Sequence, residues 1–113
     1  MNEICQKMQH LKDSLPFLKA VAQLDGNQSA KLLLIANKTQ IHCVTEICHN
    51  IIAEVLQLSP AEKEELKSYK TVIRTLAHPP RGIKYLQKYM SARVNAIRTI
   101  LLIVLPQIEQ ALT

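Results

Sequence analysis

Two dipeptides invite a chemical reading first: His42-Cys43 and Cys48-His49 supply four side chains that can each ligate zinc or handle a proton. Structural zinc sites gather such ligands tetrahedrally from closely spaced pairs. On a helix, Cys43 and Cys48 lie about 140° apart, because each residue turns the chain by about 100°. One ion cannot collect both. His42, Glu46 and His49 share a flank at i, i+4 and i+7 and could form a partial metal or proton-transfer set, but the simpler reading is a solvent-facing polar stripe with Cys48 turned into the core. No metal site is assigned. Nucleophilic catalysis needs a thiol or hydroxyl with a base in reach, and the sequence offers only Cys43 with His42 or His49 as loose components. The dense acids Glu62, Glu64 and Glu65 read as a helix start, and the isolated glycines make no phosphate-binding loop. The expectation is a noncatalytic protein with no cofactor, no metal and no small-molecule substrate.

The charge pattern carries a stronger signal. From Leu66 to Ile108 there is no Asp or Glu, yet there are eight basic residues, within a chain of net charge +5. A field of that sign attracts polyanions or anionic membrane surfaces and is silent about fold. Lys63, Lys67, Lys70 and Arg74 fall at i, i+4, i+7 and i+11, one face of a helix. After Pro79-Pro80, Arg81, Lys84 and Lys88 repeat a basic face, so two helices are expected to frame one positive groove. These seven residues are the candidate nucleic-acid contacts, read through phosphates rather than bases. The plainer alternative is a solvated surface whose lysines cover apolar flanks. Tyr69, Tyr85 and Tyr89 lie among the bases and could stack on a single strand; as amphipathic side chains they more commonly sit at the rim of a core.

Helices must position these groups. Apolar residues Ile4, Met8, Leu11 and Leu15 open an amphipathic helix, and Asp13 and Ser14 offer caps for a break before Pro16. A short helix then carries Phe17, Leu18, Val21 and Leu24, with Gly26 and Asn27 as its C-terminus and Ser29 starting a further segment that Asn37 closes. Thr39 is the next N-cap candidate, ahead of a helix with Ile41, Val44, Ile47, Cys48, Ile51, Ile52 and Val55 on one broad face. Ser59-Pro60-Ala61-Glu62 is a capping box with proline at the first helical position, and it predicts a helix with Leu66, Tyr69, Ile73 and Leu76 as its buried seam. His78-Pro79-Pro80 must stop that helix. The last helix shows Ile83, Leu86, Met90, Val94, Ile97, Leu101 and Val104 at near-heptad spacing. Its end, apolar all round from Ile100 to Leu105, is either core or an association surface, and Ile97, Leu101 and Val104 are the candidate self-association residues.

Composition agrees with helices. Of 113 residues, 48% are hydrophobic, with three tyrosines, one phenylalanine and two glycines, so the core is aliphatic and the turns are few. The expectation is all-α: a single domain over residues 1–113, folded as a compact bundle of five or six helices. Cys5, Cys43 and Cys48 are odd in number and lie inside apolar patterns, which suits reduced, buried thiols in an intracellular compartment. No basic region followed by a long apolar stretch opens the chain, so secretion is not expected. The run Ile100 to Leu105 falls far below the roughly 18–20 residues that span a bilayer. An intracellular location, the nucleus or a virion included, is expected.

The stretch from Lys31 to Lys88 resembles a family of small basic proteins encoded by virus-like DNA elements of animals, of the Polinton and adintovirus type. The residues that carry the likeness are Lys31-Leu32-Leu33, then Ile41, Val44, Glu46-Ile47-Cys48 and Asn50. It continues through Leu58-Ser59-Pro60, Lys63, Leu66, Tyr69-Lys70, Ile73-Arg74 and Leu76-Ala77. Family members usually carry a lysine-rich run after this point and a glycine-containing apolar tail. Here the run shrinks to Arg81, Lys84 and Lys88, and the tail is the glycine-free Ile97 to Leu105. The resemblance implies a structural or core role in a virion.

The leading expectation is therefore a virus-related helical protein whose basic half contacts nucleic acid without sequence preference and which forms homo-oligomers through its terminal helix. The alternative is a protein-protein interaction or self-assembly module, its charge serving solubility. Peripheral binding to anionic lipid is a third class.

Overall fold

A helix-interior proline is the first surprise of the computed structural model, which describes residues 9–79 and 82–112. Helix α1 runs unbroken over Gln9–Gln23 with Pro16 inside it, so the break expected at Asp13 and Ser14 does not occur. Proline deprives the helix of one hydrogen bond and costs about 3 kcal/mol or more. Both ends of the missing bond, Pro16 and Lys12, face solvent, where water can serve the orphaned carbonyl. On the opposite face Leu11, Leu18 and Val21 are fully buried on both sides of the proline, each contributing about 1.5–3 kcal/mol. Packing overrides the local preference. Ile4, Cys5 and Met8 lie outside the described residues.

Helix α2 spans Gly26–Ile35, which reverses the expected role of its first residues. Asp25 is the N-cap, its carboxylate accepting from the Gln28 N–H at 2.8 Å, and neither described glycine has a positive φ. Gly26 therefore opens a helix instead of closing one. Ser29 starts nothing: it is buried inside α2. Helix α3 covers Lys38–Ile52 and is capped by Asn37, not Thr39. The Asn37 side chain accepts from the Gln40 N–H at 2.8 Å while the Gln40 side chain accepts from the Asn37 N–H at 2.9 Å, a reciprocal capping box.

The next arm contains α4 (Pro60–Leu66), a single 3₁₀ turn (Lys67–Tyr69) and α5 (Lys70–Ala77) in direct succession. Its start is the expected one, with the Glu62 N–H donating to Ser59 Oγ at 3.1 Å and the Ser59 N–H to Glu62 Oε1 at 2.8 Å. Leu66, Ile73 and Leu76 are buried and Tyr69 is half-buried. The arm ends at Ala77, just ahead of His78 and Pro79.

What reads as one terminal helix is two. Helix α6 (Ile83–Ala92) and helix α7 (Val94–Leu112) meet at Arg93 with an 89° bend. A straight helix over those residues would run roughly 45 Å, longer than the molecule's largest extent of 34 Å. The bend brings both apolar faces onto the same core. Arg93 marks the corner, its guanidinium 3.9 Å from the centre of the Tyr89 ring.

Among the described residues the fold is all-α, a compact bundle of helical arms with one continuous aliphatic core. Helix α3 packs on α5, α1 on α7, and α2 on α6. Ile97, Leu101 and Val104 lie at 1%, 1% and 0% exposure in the middle of that core. This corrects their assignment as self-association residues: a folded chain does not present them to a second copy. Leu102, at 54% exposure, is an outward-facing apolar side chain of that helix. No single described helix is long and apolar enough to cross a membrane.

Candidate functional site

Lys63, Lys67, Lys70 and Arg74 come together as the spacing implies, lining one groove of about 410 Å³. The capping box and proline at Ser59-Pro60 start the arm in the right rotational phase, and Leu66 and Ile73 anchor its inner face. All four cations are exposed on its outer edge. Lys67 holds Glu64 at 2.9 Å, both side chains more than two-thirds exposed, a surface pair of the kind that contributes little.

The groove has a second wall that the sequence reading did not identify. Ile51, Ile52 and Glu54 from the end of α3, with Leu56 and Leu58 from the following loop, face the cationic arm. Ile52 is 42% exposed there, although periodicity placed it in the core. The reason is the way α3 ends. The Val55 N–H donates to the Asn50 carbonyl and the Glu54 N–H to the Ile51 carbonyl, both at 3.2 Å. This paired 6→1 and 5→2 closure requires a left-handed residue, a place glycine usually takes. Glu54 fills it with φ 58°. The chain turns back sharply, which leaves Ile52 at the lip and aims the loop at α4. A helix followed by Ala53-Glu54 gives no turn signal in sequence, so the wall had no local signature.

The remaining basic candidates are placed elsewhere. Lys84 and Lys88 are exposed on α6, which packs on α2, and neither lines the groove. The expected shared groove between the two basic helices is thus replaced by one between α3 and the α4–α5 arm. Arg81 lies outside the described residues.

Cys43 and Cys48 are both buried, and among the described residues no group of three or more His, Cys, Asp or Glu is placed to hold a metal ion. Burial pushes the Cys48 thiol up to about 12. It raises Cys43 as well, against the opposing effect of a hydrogen bond with Ser14. Thiols held protonated and out of solvent are poor nucleophiles. His42 and His49 are exposed, and His49 meets His78 edge-on with ring centres 6.0 Å apart, tying α3 to the end of α5. Tyr85 and Tyr89, 5.8 Å apart, pack half-buried against the core, as does Tyr69.

The chain matches no protein-family model, no curated protein and no solved structure. The groove has an edge of four cations spaced over roughly 16 Å of helix, an aliphatic floor, and one carboxylate, Glu54, among the described residues that line it. Among the described residues that line it there is neither an activated nucleophile nor a paired acid and base.

Proposed function

We propose that this chain is a noncatalytic, virus-related helical protein that binds nucleic acid through the cationic edge of its α4–α5 arm. The carrying observation is the convergence of Lys63, Lys67, Lys70 and Arg74 on one exposed edge, the last three of them within the tract from Leu66 to Ile108 that holds no Asp or Glu. Successive cations stand about 4.5–6 Å apart along the helix, a spacing suited to following a phosphate backbone. Cations that meet phosphates carry no information about the bases, so binding through this edge is indifferent to sequence. The resemblance to proteins of virus-like elements supports a role in packaging or lining a nucleoprotein core.

The test is binding of labelled duplex and single-stranded DNA across a salt series. Neutralising four phosphates gives a plot of log affinity against log salt with a slope of about −3 to −4. Replacing Lys63, Lys67, Lys70 and Arg74 together by Gln abolishes binding with helicity intact. Lys84→Gln with Lys88→Gln, off the groove, changes the slope by less than one unit. Binding that survives the fourfold replacement overturns the reading.

A further inference from the structure

A phosphate backbone has no use for the floor beneath those cations. Ile52 keeps 42% of its surface in water at the lip of the groove, beside half-buried Ile51 and Leu58, directly across from the basic arm. Exposed aliphatic surface is unremarkable when scattered. Here it lines a concavity of about 410 Å³, with Lys63, Lys67, Lys70 and Arg74 along the facing wall.

We propose that this groove docks an acidic amphipathic helix of a partner protein. Apolar side chains of that helix, spaced i, i+3 or i+4, and i+7, lie on Ile51, Ile52 and Leu58, and carboxylates on its flank meet Lys63, Lys67, Lys70 and Arg74. Charge complementarity selects this occupant: four cations flank the floor, Lys67 alone of them being held by exposed Glu64 at 2.9 Å, and the carboxylate in the lining is Glu54, so a basic or neutral helix leaves the excess positive charge uncompensated. The edge of roughly 16 Å matches about three helical turns of the partner, and laying an apolar stripe into such a groove is a common mode of peptide recognition. The proposal goes beyond nucleic-acid binding and does not depend on it, but the two use the same cations. Partner helix and nucleic acid therefore exclude one another, and an acidic partner would release bound nucleic acid.

The experiment uses the full chain and a labelled synthetic 18-residue helical peptide with leucines at i, i+3, i+4 and i+7 flanked by glutamates. Two control peptides replace the leucines by glutamine or the glutamates by lysine. The acidic amphipathic peptide binds, and each control binds at least about tenfold more weakly, as loss of a few buried leucines or of paired charges requires. Ile52→Gln, at an exposed site, weakens the peptide about tenfold and leaves DNA affinity within about twofold, since phosphates use the cations and not the floor. Equal binding of the glutamine control, or a peptide affinity indifferent to Ile52→Gln with the circular dichroism spectrum unchanged, overturns the proposal. Peptide binding without DNA binding at low salt sinks the nucleic-acid reading alone, and DNA binding without peptide binding sinks this one alone.

Discussion

The buried Ser29 hydroxyl, from the second turn of α2, donates to the Val21 carbonyl at 2.7 Å in the last turn of α1, and lies 3.3 Å from the Leu24 carbonyl. The final four carbonyls of any helix lack partners within it. One side chain thus closes the end of the helix before its own and fixes the angle between the two. Ser29→Ala should cost about 1–3 kcal/mol, the penalty of a buried acceptor left unsatisfied. Urea denaturation followed by circular dichroism measures it; a loss below a few tenths of a kcal/mol would mean that another donor serves Val21.

Pro16 sits on the solvent side of a helix whose opposite face is already anchored by Leu11, Leu18 and Val21. Pro16→Ala restores the bond to the Lys12 carbonyl and removes the ring clash, and it should stabilise the fold by roughly 1–3 kcal/mol. A rise in thermal midpoint without a change in the two-dimensional NMR pattern beyond α1 is the expected result.

Glu54 holds a left-handed conformation at φ 58°. That conformation costs a side-chain-bearing residue roughly 1–2 kcal/mol, part of which glycine returns through its greater unfolded-state entropy. Glu54→Gly should raise stability by up to about 1 kcal/mol on these figures. It also removes the groove's carboxylate, so affinity for DNA and for the acidic peptide should rise together. Glu54→Gln separates the effects, strengthening binding without stabilising the turn.

Cys48 links stability to alkaline pH. Its thiol rises from the ordinary 9.0 to about 12 on folding, because burial penalises the thiolate. Between those values the unfolded chain has lost a proton that the folded chain retains, so stability is fully present below pH 9.0 and declines as pH rises toward about 12. The decline is about 1.4 kcal/mol per pH unit. Replacing Cys48 by Val removes this component, so between pH 7 and 10.5 the wild type should lose about 2 kcal/mol more stability than the variant. Parallel losses in both would place the titration elsewhere.

Features that depend on neighbours three or four residues apart were legible in the sequence. The Ser59–Glu62 capping box, the stop at His78-Pro79 and the alignment of Lys63, Lys67, Lys70 and Arg74 all depend on contacts or spacing within one helical arm, and local chemistry decides them. The all-α class was legible for the same reason: two glycines, four aromatics and apolar residues recurring every three or four positions favour helices as the way to bury the chain. Tertiary packing decided the rest. Pro16 stays inside α1 because burial on the far face outweighs one lost hydrogen bond; the cap at Asn37 is by contrast a local pairing with Gln40, the same kind of signal as Ser59–Glu62, that favours it over Thr39. A near-heptad pattern from Ile83 to Val104 does not reveal the corner at Arg93, since both halves keep the same apolar period while turning 89° to share one core. That corner is what places Ile97, Leu101 and Val104 inside the bundle and not on its surface. The groove itself joins Ile52 to Lys63 and Arg74 across a left-handed turn at Glu54, and such a meeting of separate elements exists only once the chain has folded.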